Sequence, residues 1–95
     1  MKLYLQIIGL PELRKIIGSD LEIDALGNTI FDLIDQLCQN YGKQVKDVFF
    51  PNGKTLNMNI QVLVNNELVL PREKLKQKII EAKDHVAFMR YIGGG

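Results

Sequence analysis

From Lys2 to Ile8, apolar and polar positions alternate. Leu3, Leu5 and Ile7 fall on one side and Lys2, Tyr4, Gln6 and Ile8 on the other, a period of two that predicts a half-buried strand. Gly9-Leu10-Pro11 breaks the pattern. Pro11–Ile17 reads as a short helical turn with Leu13, Ile16 and Ile17 as its apolar side, ended by Gly18. Asp20–Asp24 alternates again, with Leu21 and Ile23 inward. At Thr29 the period changes. Ile30, Leu33, Ile34, Leu37 and Tyr41 recur at intervals of three and four, the spacing of one helical face. Thr29 or Asn28 caps the start, Asp32 and Asp35 lie near the positive end of the dipole, and Gly42 suits the left-handed position beyond the last turn.

Beyond the helix, Val45–Asn57 is expected to be irregular, with Phe49-Phe50-Pro51 plugging an edge of the core and Asn52-Gly53 turning the chain. Asn59–Asn65 alternates with Ile60, Val62 and Val64 inward and Leu63 outward. Asn65-Asn66 suits a tight turn because Asn tolerates positive φ. Glu67–Leu70 is then a short strand stopped by Pro71. Arg72–Lys78 reads as a solvated basic stretch, and Ile79 and Ile80 return to the core. His85–Tyr91 is the last strand, with Val86 and Phe88 on one face and His85, Ala87, Met89 and Tyr91 on the other. The order β-β-α-β-β-β makes an α+β domain, a β-grasp or ubiquitin-like arrangement with a mixed sheet packed on one main helix. Residues 1–91 form that domain, and 92–95 a flexible glycine tail.

Composition narrows what such a domain does. The 95 residues are 46% hydrophobic and 24% charged with a net charge of +1, enough apolar surface for one core and too much for a disordered chain. No apolar run is long enough to span a bilayer, and the N-terminal stretch is not expected to be a signal peptide. One Cys makes no internal disulfide, which fits a reducing compartment and points to the cytoplasm. One Cys and one His do not make a zinc site or hold an iron–sulfur cluster. Neither G-x-x-x-x-G-K-[ST] nor G-x-G-x-x-G occurs. A self-sufficient enzyme is therefore not expected, nor a bound metal. Cys38 reads as a small half-buried hydrophobe rather than a nucleophile, and His85 as a surface or turn residue. Arg72, Lys74, Lys76 and Lys78 carry no interleaved aromatics, so the basic stretch is read as solvated rather than nucleic-acid-binding. The unusual feature is Gly93-Gly94-Gly95 directly after a strand with buried residues.

Together with three internal stretches, that tail makes the chain resemble the MoaD/ThiS-type sulfur-carrier proteins, and most closely the small subunit of molybdopterin synthase. Thr29-Ile30-Phe31-Asp32-Leu33-Ile34-Asp35-Gln36-Leu37 resembles the family helix. Ile60-Gln61-Val62-Leu63-Val64-Asn65-Asn66 resembles its strand and Val-Asn-Gly turn. Ile80-Glu81-Ala82-Lys83-Asp84-His85-Val86-Ala87-Phe88 resembles the Leu-x-x-Gly-Asp-x-Val-Ala-Phe run before a terminal Gly-Gly. Asn66 and Lys83 stand where the family usually has Gly, Arg90-Tyr91-Ile92 replaces a segment often containing prolines, and three glycines replace two.

The resemblance implies a protein that is not a catalyst alone but the sulfur-donor subunit of a synthase. Its C-terminal carboxylate, here Gly95, is adenylated with ATP by a partner of the ubiquitin-activating type. A sulfur nucleophile then converts it to a thiocarboxylate for the synthase large subunit. A thiazole-pathway carrier and a ubiquitin-like protein modifier remain as alternatives. The physical chemistry of the tail is compatible with this. A carboxylate is a poor electrophile until activated, Gly93 and Gly94 without Cβ fit a narrow channel, and four residues extend about 14 Å. Ordering them costs about 1–2 kcal/mol each, so the body must dock as well. Tyr4, Leu63, Ala87, Met89 and Tyr91 are expected on the sheet face opposite the helix as that docking surface, with Arg90 beside the tail to pair with an acidic partner residue.

Overall fold

The computed structural model describes residues 1–91. The alternating segments form β1 (Lys2–Ile8), β2 (Asp20–Asp24), β3 (Ile60–Val64), β4 (Glu67–Leu68) and β5 (His85–Arg90), and the helices are α1 (Pro11–Ile17), α2 (Ile30–Tyr41) and α3 (Lys43–Phe49). They make one five-stranded sheet in the order β2-β1-β5-β3-β4. β5 lies parallel to β1 and antiparallel to β3, while β2 and β4 hang antiparallel on the outside. The sheet is mixed as expected.

One face of the sheet is apolar because each strand contributes every second residue to it. Leu3, Leu5, Ile7, Ile60, Val62, Val86 and Phe88 are all at most 2% exposed and meet Ile30, Leu33, Ile34 and Leu37 of α2. Leu21 and Ile23, on the edge strand β2, are only half-buried. α2 begins at a capping box: Thr29 Oγ1 accepts from the Asp32 amide (3.1 Å), and Asp32 Oδ2 accepts from the Thr29 amide (3.3 Å). Gly42 ends it at φ 91°. Tyr41, on the last turn, is exposed. Gln36 is buried on the inner side and bridges back, donating Nε2 to Asp24 O (2.7 Å) and accepting from the Leu26 amide (2.9 Å). That satisfied pair holds the β2–α2 connection.

Four segments depart from the sequence reading. Residues 43–49 are not irregular but form α3, whose Val45 and Phe49 are fully buried. Phe49 meets Phe88 edge-on with centroids 5.1 Å apart, so it belongs to the centre of the core rather than an edge. β4 is two residues long instead of four. Ile79 is 53% exposed while Ile80 is 2%, because successive side chains of an extended chain point opposite ways.

The fourth departure is the basic stretch, which is not wholly solvated. Arg72–Lys76 is a 3₁₀ segment with Leu75 buried. The Arg72 guanidinium donates Nη1 to Ile60 O (2.7 Å) and Nη2 to Asn57 O (3.0 Å), with Leu56 O at 3.4 Å. It fastens the start of β3. Replacing Arg72 by Ala is expected to cost about 2 kcal/mol, the range for bonds from a charged donor. Lys restores little, because a single ammonium does not reproduce the planar fork. Urea midpoints of both variants check this, and a midpoint equal to wild type in Arg72→Ala refutes it.

The two positions where Gly is usual in the resembling family keep the backbone that Gly favours. Asn65 and Asn66 turn between β3 and β4 with φ 52° and 69°, and Lys83 sits at φ 70°. Asn tolerates this conformation, whereas for Lys the left-handed region is unfavourable.

Candidate functional site: the base of the C-terminal segment and the open sheet face

β5 is central in the sheet, paired on both sides along its length, and its Val86 and Phe88 are buried. The strand that leads to the tail is therefore held by two ladders and by the core beneath it. Its last described bond runs from the Tyr91 amide to Asn59 O (2.6 Å). Asn59 is held in turn: its amide donates to Asn57 Oδ1 (2.9 Å), and Asn57 Nδ2 donates to Val48 O (2.9 Å). Because Arg72 grips Asn57 O, the base of the tail is tied through Asn59 and Asn57 to both α3 and the 3₁₀ segment. Gly9 lies on the other side of β5, where a Cβ on it would meet the Arg90 Cβ at 3.2 Å; its φ of 68° also calls for Gly.

The docking residues expected from the sequence are distributed as follows. Leu63 and Ala87 are cross-strand partners, and Met89 pairs with Gln61 and Ile8. All three are half-buried on the face opposite the helices. Tyr4 lies on the same face, stacked on His85 with centroids 4.8 Å apart. Tyr91 lies just beyond the strand and is 51% exposed. Arg90, in register with Ile60, falls on the helix side of the pleat. It lines a cleft with Glu12, Val48 and Asn57 and does not share the face of Met89. Gly93, Gly94 and Gly95, and Ile92 before them, lie outside the described residues.

Two residues of the open face were missed. Ile8 and Leu68 are each 39% exposed there. The alternation of β1 already put Ile8 outward, but Leu68 became visible only once its pairing with Leu63 was known. The face also has a charged border. The outward positions of edge strand β2 are Asp20, Glu22 and Asp24, all exposed. Lys2 pairs with Glu22 at 3.3 Å, and that bond and charge raise the lysine above its usual range. Both groups are solvated, so the pair adds little to stability.

Other chemistry is sparse. Cys38 is half-buried on the flank of α2, and burial, with Asp35 nearby, pushes its thiol above the usual range, the opposite of nucleophile activation. The His85 backbone is fixed by Asn65, through the His85 amide to Oδ1 (2.9 Å) and the Asn65 amide to His85 O (2.7 Å). Among the described residues no group of three or more His, Cys, Asp or Glu side chains is placed to hold a metal, and no helix is long and apolar enough to cross a membrane.

Comparison with known proteins agrees with this architecture. The ThiS family model matches residues 10–95. No curated protein sequence matches the chain. Among solved structures, the small archaeal modifier protein 1 (SAMP1) of Methanosarcina acetivorans is 21% identical, with 99% of this chain and 96% of that one covered and a TM-score of 0.75. Urm1 of Trypanosoma brucei is 26% identical over 99% and 95%, with a TM-score of 0.70. CysO of Amycolatopsis orientalis, solved as a BexX/CysO complex, is 22% identical over 98% and 99%, with a TM-score of 0.70. A family match over nearly the whole chain, on a β-grasp sheet whose central last strand leads to a glycine run, means that the chain belongs to the ThiS family of ubiquitin-like sulfur carriers.

Proposed function

We propose that the chain carries sulfur on the carboxylate of Gly95 for molybdopterin biosynthesis, as the small subunit of a molybdopterin synthase. A partner of the ubiquitin-activating type binds ATP and supplies the catalysis. A Gly95 carboxylate oxygen attacks the α-phosphorus, pyrophosphate leaves, and the acyl carbon becomes electrophilic. Hydrosulfide supplied by a partner attacks that carbon, the carbon–oxygen bond to AMP breaks with its electron pair leaving on AMP, and loss of the sulfur's proton gives a thiocarboxylate that the synthase large subunit accepts. The chain's own contribution is to hold the tail base still and offer a surface for docking, in keeping with a cytoplasmic carrier that is not an enzyme alone. BexX/CysO, in which a relative of this fold was solved with another protein, supports the idea of work in a complex.

The observation that carries the reading is the placement of β5. A strand paired on both sides and buried through Val86 and Phe88 leads directly to residues 92–95, and the ThiS match extends through Gly95. Such a strand fixes the origin of a short arm, and fixing the origin is what lets a reach of about 14 Å be aimed. The test is intact-mass measurement after incubation with the adenylating enzyme encoded in the same genome, ATP and a sulfur donor. Replacement of one oxygen by sulfur, localised to Gly95, is expected, and the loaded chain should convert precursor to molybdopterin with the large subunit. Loading without that conversion redirects the acceptor. Isopeptide remnants on lysines, in place of loading, identify a modifier.

A further inference from the structure

Past Met89 the strand that leads to the tail loses its neighbours one at a time. The ladder to β1 ends at Ile8 and Met89, just before the bend at Gly9. The ladder to β3 ends at Ile60 and Arg90. Among the described residues one further backbone bond follows, from the Tyr91 amide to Asn59 O (2.6 Å). The direction in which the chain leaves the sheet therefore depends on where that carbonyl sits. Asn59 is an exposed turn residue, and Asn57 places it. Asn57 Oδ1 accepts from the Asn59 amide (2.9 Å), an Asx turn in which the side chain stands in for a backbone carbonyl. Asn57 O accepts from the Ile60 amide (3.0 Å) and closes a second turn over the same residues. The other end of the side chain, Nδ2, donates to Val48 O (2.9 Å), and the Asn57 amide donates to Phe49 O (2.7 Å). Arg72 Nη2 is a further donor to Asn57 O (3.0 Å). All four polar groups of Asn57 are thus engaged, and through Phe49, which is fully buried, the turn is fixed to the core.

We infer that Asn57 is a positioning residue for the activation of Gly95, a role that rests on the sulfur-carrier reading and concerns how the arm is aimed. The side-chain amide suits the task because it carries an acceptor and a donor on one short stem. The acceptor holds Asn59, and the donor holds α3. A carboxylate at this position keeps the acceptor alone, and a hydroxyl makes the same turn more weakly. Without the side chain Asn59 O is free to drift, and the Tyr91 amide goes to water. The pivot of the arm then moves from Tyr91 back to Arg90. One residue of added free chain is about 3.3–3.6 Å, whereas a misplacement of about 1 Å at a reacting centre already costs on the order of a hundredfold. The loss falls on the chemical step rather than on docking. Asn57 lines the cleft on the helix side with Arg90, on the opposite side of the sheet from Leu63, Ala87 and Met89, so the adenylating enzyme binds as before while the carboxylate meets the α-phosphorus less often.

The experiment uses the full chain and has two readouts. Amide hydrogen exchange of the chain alone reads the clasp on Tyr91, and ATP–pyrophosphate exchange with the adenylating enzyme of the same genome gives kcat and KM for the chain. Asn57→Ala is expected to speed exchange of the Tyr91 amide while the Val69 amide, bonded to Val62 O at the far edge of the sheet, keeps its rate. The same variant should lower kcat by about tenfold or more with KM within about twofold of wild type. Asn57→Asp, which still holds the Asn59 amide, restores most of kcat. Asn57→Ser falls between the two and, set against Asp, decides the matter where Ala does not fold. Gln36→Ala removes a comparable pair of side-chain bonds at the β2–α2 connection and leaves kcat and the Tyr91 amide alone. A raised KM with normal kcat in Asn57→Ala, an equal loss of kcat in Gln36→Ala, or an unchanged Tyr91 amide overturns the role of Asn57. Faster exchange at Tyr91 in a chain whose wild type is never adenylated supports the clasp and strikes at the chemistry assigned to Gly95.

Discussion

A chain lacking Gly94 and Gly95 is expected to unfold at the same urea concentration as the intact protein and to take up no detectable sulfur. The first half follows from where the described structure keeps its stabilising contacts. The core closes on Phe88, the strand ladders end at Arg90, and the last bond is the Tyr91 amide on Asn59 O. The second half follows from reach. Removing two residues withdraws the terminal carboxylate by about 7 Å, and a misplacement of about 1 Å at a reacting centre already costs on the order of a hundredfold in rate. Intact-mass analysis after incubation with the adenylating enzyme, ATP and a sulfur donor reads the loading, and urea titration reads the fold. Sulfur on the shortened chain would place the reactive carboxylate elsewhere. A lowered midpoint would show that the tail contributes to the fold, and loss of loading would then no longer isolate its chemistry.

Much of this architecture was legible because the strands and α2 follow simple periods. Leu3, Leu5 and Ile7 alternate cleanly, and Ile30, Leu33, Ile34 and Leu37 keep helical spacing, with Thr29 and Gly42 at the ends. What stayed hidden has local causes. α3 shows Val45, Val48 and Phe49 at helical spacing, but seven residues followed by Phe-Pro-Asn-Gly carry stronger turn signals than helix signals. Such a short helix draws its stability from packing on α1 and α2 rather than from propensity. Arg72 looked like one charge in a basic run, and nothing in a sequence tells which arginine finds three carbonyls 12 to 16 residues away along the chain. At the site, the alternation of β1, β3 and β5 put Tyr4, Leu63, Ala87 and Met89 on one face correctly. It did not reveal that Tyr4 stacks on His85, which depends on register between strands far apart in sequence.

Phe88 and Met89 offer the sharpest separation of stability from docking, since they are neighbours on β5 and point to opposite sides of the sheet. Phe88 is 0% exposed, lies between Ile7 and Val62 in the ladder and meets Phe49 edge-on. Phe88→Ala is expected to cost about 3–5 kcal/mol, the lost transfer energy plus the cavity left behind. Against a total stability of roughly 5–15 kcal/mol for a domain, that lowers the urea midpoint steeply and leaves a substantial unfolded fraction if the domain lies at the low end. Met89 is half-buried on the open face, where trimming to Ala forfeits only part of a side chain already in water, about 1 kcal/mol or less. Its effect should instead fall on partner affinity, because an apolar strip that is half-exposed in the free chain gains burial only when something covers it. Urea titration of both variants, beside their affinity for the adenylating enzyme, checks the pair. If Met89→Ala loses stability as Phe88→Ala does, the open face belongs to the core in practice. If Met89→Ala loses neither stability nor affinity, the strip is not where the partner sits. Only a normal midpoint with weakened binding agrees with a strand whose inner face holds the fold while its outer face receives the partner and its end delivers the tail.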